Sequence, residues 1–269
     1  MQAIWNELVA KTRDFVHEAG FEKAVIGLSG GIDSAVVACI ACAALGKENV
    51  LGVLMPSPYS SDGSRVDARS LAANWGFAVV KLQIHALMAL FDSVLDSVVD
   101  RDDRRVVTGE NLQARIRAVL LMALSNEHDR LVLNTCNKSE DWTGYCTLYG
   151  DSCGAVAPIG GLYKTEVYAL ARWVNSAASP ALPVIPVAIL DKAPSAELSA
   201  GQKDEDELPP YAVLDPILRI FVDEKGTIQD AVAAGFDAPT CARVWELMHG
   251  SAFKRKQSAP IIELTGGLG

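Results

Sequence analysis

The segment GLSGGIDSA, residues 27–35, limits the fold of this 269-residue chain more than any other part. It follows apolar residues that suit a buried strand and leads into the apolar run AVVACIACAAL. Adjacent glycines let the backbone approach a ligand closely, and the unpaired N–H groups at a helix start attract anions. A plain turn would require neither the two serines nor the aspartate. We therefore interpret the segment as a phosphate-binding loop between a strand and a helix.

Strand and helix patterns alternate along the first half of the chain, which favours a parallel sheet with right-handed crossovers. Strands are predicted at 23–28, 50–55, 77–82 and 131–134, and helices at 2–19, 34–45, 64–75, 84–98 and 109–127. Further helices are predicted at 163–175, 211–222 and 238–249, and 178–210 is predicted to be a long loop that could serve as a lid. We expect an α/β fold, a doubly wound (Rossmann-like) parallel sheet of about five strands flanked by helices, in a single domain over 1–269.

Composition excludes several classes of protein. Hydrophobic residues make up 50% of the chain and charged residues 21%, which is sufficient for a large core and argues against disorder. The net charge of −9 argues against a nucleic-acid partner. No apolar run is long enough for a membrane span, so we expect a cytoplasmic protein. The six cysteines do not suggest a disulfide framework, and Cys39 and Cys42 are expected to be buried in a helix.

The glycine loop matches neither GxxxxGK[ST] nor GxGxxG. A bare SGG would predict only a tight turn, but SGGxDS between a strand and a helix is more specific. It resembles the pyrophosphate-binding loop of the ATP pyrophosphatases, which cleave ATP between the α and β phosphates and transfer AMP to a second substrate. The resemblance implies that ATP is a co-substrate and that Mg²⁺ is a cofactor.

Six further motifs narrow the family, in the order TGENLQARIR (108–117), NKSE (137–140), GYCTLYGD (144–151), KAPSAEL (192–198), QKDEDELPPY (202–211) and KRKQSAP (254–260). Together they resemble the synthetase domain of glutamine-dependent NAD synthetases over nearly the whole chain. The resemblance implies a ligase that amidates deamido-NAD to NAD through an acyl adenylate, with release of AMP and pyrophosphate.

The resemblance also implies roles for individual residues. The residues implied for ATP binding are Gly27, Leu28, Ser29, Gly30, Gly31, Ile32, Asp33, Ser34, Thr135, Lys164 and Ser195. Those implied for deamido-NAD binding are Asn111, Arg115, Glu140, Tyr145, Cys146, Thr147, Leu148 and Lys254. Asp33 and Glu140 are the implied catalytic residues and magnesium ligands.

Structural roles remain open for several of these residues. Arg115 could be a solvated helix residue, Glu140 a helix cap, Tyr145 a core residue and Lys164 a surface lysine. The basic KRKQ tail could be nonspecific, although we favour a substrate contact. Leu148 and Ala155 stand where the ammonia-only branch has a lysine and an aspartate. Asp141 and Trp142 stand where smaller residues are expected after NKSE, and the bulky Trp142 could alter the fit of the dinucleotide or a subunit contact.

The nitrogen source is a further expectation. The first predicted strand begins at residue 23, so we expect no amidase domain ahead of it. We therefore expect free ammonia as the donor, with a separate glutaminase subunit as the alternative. A homodimer is expected, and the apolar helix 109–127 suits either that contact or the core. The alternative functions are those of a tRNA-modifying pyrophosphatase and of a non-catalytic nucleotide-binding relative.

Overall fold

The computed structural model describes residues 1–178 and 184–265. Its sheet contains four parallel strands in the order β3-β2-β1-β4. The strands are β1 (Lys23–Gly27), β2 (Val50–Leu54), β3 (Ala78–Lys81) and β4 (Arg130–Val132). Since the chain moves outward from β1 to β3 and then returns to the other side of β1, the strand order reverses next to β1. Such a reversal is where parallel α/β sheets bind ligands, beyond the carboxyl ends of the strands.

Twelve α-helices are assigned within the described ranges. They are α1 (Gln2–Glu18), α2 (Ile32–Leu45), α3 (Asp62–Trp75), α4 (His85–Leu95), α5 (Val106–His128), α6 (Lys138–Thr143), α7 (Lys164–Ala178), α8 (Val187–Asp191), α9 (Tyr211–Val222), α10 (Ile228–Ala233), α11 (Ala238–Gly250) and α12 (Ala252–Arg255).

The main core forms around α2, of which 12 of the 14 residues are buried. Its alanines, valines and cysteines are small enough for close packing against the sheet and against α1 and α7. Strand β2 is buried along its whole length, as expected of a strand covered by helices on both faces. Cys39 and Cys42 are buried free thiols whose pKa values burial raises, which confirms the structural prediction for them.

Two smaller clusters complete the core. One lies under α4 and α5 on the other face of the sheet. The other joins α9, α10 and α11, includes Tyr163, and contacts α6 and α7 through α9.

The predicted fold class is confirmed, but the described sheet has four strands where about five were expected. The position beyond β4 is occupied by isolated parallel bridges, Leu133 to Val156 and Ala157 to Ile261. Continuous pairing is interrupted there because Pro158 has no N–H to donate and two glycines, Gly160 and Gly161, follow after one residue.

The predicted loop at 178–210 is only partly a loop. Residues 179–183 lie outside the described residues, and α8 occupies part of the remainder. The short helix α10 was not predicted, although Thr227 and Asp230 form a capping box that marks its start. None of the helices in the two described ranges is long and apolar enough to cross a membrane.

Candidate active site

The glycine loop lies between the carboxyl end of β1 and the first turn of α2. Gly30 has φ +81°, and a Cβ there would overlap the carbonyl oxygen of Ser64. The start of α3 therefore packs directly on the loop, and only glycine fits. Gly31 caps α2 without a side-chain hydrogen bond, so backbone N–H groups at the helix start remain available to an anion.

The two serines of the loop hold its shape. Ser29 Oγ lies 3.1 Å from Ser34 Oγ, and the Gly31 N–H donates to Ser29 Oγ at 3.1 Å. Ser34 is buried and also donates to the Gly31 carbonyl, whereas Ser29 is exposed. The loop is thus fixed from within before any ligand binds.

Lys164 is the buried cation of the site and not a surface lysine. Its residue is 3% exposed, and Nζ lies 2.6 Å from Asp33 Oδ2 and 3.1 Å from Glu140 Oε1. Burial alone would lower the pKa of Lys164, but the carboxylates of Asp33 and Glu140 outweigh burial and raise it well above its ordinary value. Lys164 therefore joins three elements of the chain, α2, α6 and α7, through one charge.

Glu140 has two roles. With Asn137 it forms the capping box of α6: the Asn137 N–H donates to Glu140 Oε2 at 3.2 Å, and the Glu140 N–H donates to Asn137 Oδ1 at 3.0 Å. Its other oxygen meets Lys164 inside the cavity. The helix-cap interpretation of Glu140 is confirmed. Because the cap uses only Oε2, the other carboxylate oxygen can still act in the site. Burial raises the pKa of the Glu140 carboxyl, and the Lys164 charge opposes that rise and favours the carboxylate.

Asp33 and Glu140 supply oxygen donors of the kind that Mg²⁺ prefers, and both line the cavity next to the glycine loop. Within the described residues no group of three or more His, Cys, Asp or Glu side chains is arranged to hold a metal. The two carboxylates thus fit a magnesium ion that is bound by one or two protein oxygens and completed by phosphate and water.

The cavity has a volume of about 270 Å³ and lies between the glycine loop, α5 and residues 192–198. The predicted residues that line it are Gly27, Leu28, Ser29, Gly31, Ile32, Asp33, Ser34, Thr135, Glu140, Tyr145, Lys164 and Ser195. Gly30 instead packs against α3. Apart from Gly30, all the predicted ATP-binding residues therefore surround one cavity.

A buried acid also faces this cavity. Asp204 is 3% exposed and accepts a hydrogen bond from the Tyr211 hydroxyl at 2.7 Å. Its other oxygen and the nearby Tyr145 hydroxyl are buried, lie close to each other and have no further hydrogen-bond partner among the described residues. Burial raises the pKa of both Asp204 and Tyr145. Both groups are thus available to a polar ligand atom, and Tyr145 is not simply a core residue.

Arg117 lines the cavity but was not predicted as a site residue, because a charged side chain on a helix normally indicates a solvated face. Its Nε donates to the Met55 carbonyl at 3.0 Å, and burial lowers its pKa to about 10. Lys192 and Glu197 were likewise missed, although both belong to the quoted KAPSAEL motif.

The remaining predicted residues form a second group, beside the cavity lining. Thr147 Oγ1 donates to Asn111 Oδ1 at 2.6 Å, and Arg115 Nε donates to the Leu148 carbonyl at 3.1 Å. Lys254 Nζ donates to the carbonyls of Gly144 and Cys146 at 2.8 and 2.7 Å. The structure thus brings α5, residues 144–148 and α12 together, as the dinucleotide prediction requires.

The Trp142 side chain contacts the C-terminal helix α12. The Arg255 guanidinium lies 4.4 Å from the centre of the Trp142 ring and donates to the Trp142 carbonyl at 3.0 Å. Asp141 accepts from Ser258 Oγ at 2.7 Å. These contacts connect α6 to the C-terminal helices and account for both unexpected residues without a role in the cavity.

Comparison with known proteins agrees with this geometry. The model of the NAD synthase family matches residues 4–258. A glutamine-dependent NAD(+) synthetase of Synechocystis is 47% identical over 264 residues, which are 98% of this chain and 46% of the relative. The chain thus spans about half the length of that relative.

Two solved structures resemble the whole chain. The NH3-dependent NAD synthetase of Campylobacter jejuni is 31% identical, with a TM-score of 0.73, over 93% of this chain and 96% of that one. The NMN synthetase of Francisella tularensis is 29% identical, with a TM-score of 0.81, over 99% and 98%. With the family match covering nearly all of the sequence, this chain belongs to the NAD synthase family.

Proposed function

We propose that the chain amidates deamido-NAD to NAD with ATP and ammonia, releasing AMP and pyrophosphate. The observation that carries the proposal is the Lys164, Asp33 and Glu140 cluster at a glycine loop, with a second group of polar side chains directly beside it. One region suits the triphosphate and the other a dinucleotide. Family membership supports the same reaction.

In the first step the nicotinate carboxylate attacks the α-phosphorus of ATP, the bond to the β-phosphate oxygen breaks, and an acyl adenylate forms. Backbone N–H groups of the glycine loop and the Lys164 ammonium stabilise the charge on the leaving pyrophosphate. Asp33 and Glu140 would hold Mg²⁺, which when bound supplies further neutralisation of phosphate charge.

In the second step ammonia attacks the carbonyl carbon, AMP leaves and one proton is lost. Residues 192–198 cover the cavity and help to exclude water, which would otherwise hydrolyse the adenylate. The Asp204 carboxylate can accept the proton that is lost, and the Tyr145 hydroxyl beside it can orient a small nitrogen nucleophile. The reaction of a synthetase thus explains why these two polar side chains line the cavity, whereas a protein that only binds a nucleotide would not require them.

The nitrogen source forms part of the proposal. Relatives named glutamine-dependent and NH3-dependent both match this chain, and ammonia is the species proposed to react in the cavity in either case. We propose free ammonia as the donor to this chain alone, and supply by a separate amidase as the alternative.

The test is to incubate the protein with ATP, Mg²⁺, deamido-NAD and ammonium, and to measure NAD and AMP. NAD with ammonium but not with glutamine supports the proposal. AMP without NAD would indicate adenylation without amidation. The absence of both products would refute it.

A second substrate has to be included, because the NMN synthetase of Francisella tularensis matches this chain over its whole length. The deamido form of NMN should replace deamido-NAD in a parallel reaction. A higher kcat/KM for the mononucleotide would move the proposed substrate from the dinucleotide to the mononucleotide, with the same chemistry.

We also propose that the protein is a homodimer. Helices α4 and α5 expose apolar side chains at Leu90, Phe91, Val94, Val119 and Met122. A second copy could cover this surface, since exposed apolar patches commonly mark association sites. Sedimentation velocity on the wild type and on Val119→Glu tests this proposal. A monomeric wild type would refute it.

A further inference from the structure

Residues 192–198 contact the rest of the molecule at several points, of which two hold the segment to α5 and α3. All seven line the cavity, opposite the glycine loop. On one side, the Gln113 amide donates to the Leu198 carbonyl at 2.8 Å, which holds the segment to α5. On the other side, the Glu197 carboxylate is bound to the first turn of α3. The segment is therefore suspended across the nucleotide cavity between α5 and α3.

The Glu197 anchor is a dense set of hydrogen bonds. Oε1 accepts from Ser64 Oγ at 2.6 Å and from Ser61 Oγ at 2.9 Å, and Oε2 accepts from the Ser61 N–H at 3.2 Å. The Lys192 ammonium contacts Ser64 Oγ and lies 3.7 Å from Glu197 Oε1. A carboxylate at a helix start is favoured by the helix dipole, so charge strengthens each of these bonds.

The backbone of Glu197 also indicates a built contact. It has φ +50°, the left-handed conformation that side-chain-bearing residues rarely adopt. A non-glycine residue persists in this conformation where its surroundings compensate for the strain. The three bonds to α3 supply that compensation.

The contact between Glu197 and α3 lies next to the glycine loop. Ser64 is buried, and its backbone lies against Gly30 with no room for a Cβ. On the other side of Glu197, its N–H donates to Ser195 Oγ at 3.1 Å, and Ser195 lines the cavity. One carboxylate thus connects a residue of the covering segment, the start of α3 and the phosphate-binding loop.

We propose that Glu197 is a positioning residue that holds residues 192–198 closed over bound ATP by docking its carboxylate on the start of α3. The proposal rests on the proposed function for the identity of the nucleotide. Glu197 acts through Ser64 and Ser195, so it affects how tightly ATP is held more than the chemistry at the α-phosphate.

The test compares Glu197→Gln with the matched control Glu205→Gln, an exposed acid on the same stretch of chain. Replacing the carboxylate by an amide should raise KM for ATP roughly fivefold while kcat stays within about twofold, since a docking contact and not the reacting groups is weakened. Trypsin cleavage after Lys203, measured without nucleotide, should accelerate by a similar factor. Glu205→Gln should change neither value.

A double-mutant cycle with Ser64→Ala tests the route of the effect. In that background the effect of Glu197→Gln on KM and on cleavage should fall to less than half, because the partner hydroxyl is gone. Thermal melts of all variants establish that they are folded.

Wild-type values for Glu197→Gln, or an undiminished effect in the Ser64→Ala background, would overturn the proposal. If the wild type makes no NAD, the proposed function fails alone, because the cleavage experiment needs no substrate and still measures the contact.

Discussion

Replacing Lys164 by methionine should show how much the stability and activity of the site depend on one buried charge. The ammonium lies 2.6 and 3.1 Å from the carboxylates of Asp33 and Glu140. At an effective dielectric constant near 20, these contacts correspond to gross attractions of about 6 and about 5 kcal/mol. Desolvation of the three groups offsets much of this, and removing one partner of a buried ion pair costs about 3–5 kcal/mol.

We therefore expect Lys164→Met to lower the free energy of unfolding by about 3 kcal/mol, near the low end because Asp33 and Glu140 are 17% and 15% exposed. In a chain of this size this corresponds to a fall in Tm of roughly 10 °C. Urea denaturation monitored by circular dichroism measures the change. Arg13→Met is the control, since it removes an exposed ion pair with Asp14 and should leave stability unchanged within error.

Adding Mg²⁺ to the Lys164→Met protein tests whether the two carboxylates can bind a cation. Without Lys164 the two carboxylates repel each other, and a divalent cation that binds them should restore part of the lost stability. NAD synthesis should still be lost, because the charge on the leaving pyrophosphate is no longer stabilised by the ammonium. A Lys164→Met protein as stable as the wild type would refute the assignment of this cation as the centre of the site.

Three further changes test other parts of the molecule. Gly30→Ala should abolish nucleotide binding in calorimetry because its Cβ overlaps Ser64, whereas Gly201→Ala, at φ +71° in open space, should cost only about 1 kcal/mol of stability in urea denaturation. Asp215→Asn should cost about 2 kcal/mol in the same assay, because its buried carboxylate accepts hydrogen bonds from α6 and α7. Lys254→Met should raise KM for deamido-NAD with little change in KM for ATP, and equal changes in both would contradict its placement beside residues 144–148.

Local patterns predicted the elements that are defined by their own residues. Helix α9 begins and ends where the sequence placed it, because Pro209 and Pro210 precede an amphipathic run that ends before charged residues. The glycine loop was likewise predicted from its strand and helix context. Local patterns did not predict the number of strands correctly. Among the described residues, prolines and glycines after β4 leave only single bridges where a fifth strand was expected.

Several contacts of the site, including those of the missed residues, join parts of the chain that are distant in sequence. Asp33 and Lys164 are separated by 131 positions, and Ser61 and Glu197 by 136. Nothing near Glu197 indicates that its carboxylate will dock on α3, and nothing near Arg117 indicates burial against Met55. Motif resemblance identified Lys164, whereas pattern alone could not decide between a surface lysine and a site lysine.

The cations that surround the substrate regions explain how a chain with a net charge of −9 can attract anions. Arg115, Arg117 and Lys254 each donate to backbone carbonyls and form no ion pair among the described contacts. A neutral carbonyl fixes the side chain but does not cancel its charge, so each cation keeps its attraction for phosphate. Lys164 is the opposite case, because its charge is already shared by two carboxylates. The first three therefore suit binding of the proposed anionic substrates, and the fourth suits holding Asp33 and Glu140 in place for the proposed reaction, until phosphate charge arrives beside them.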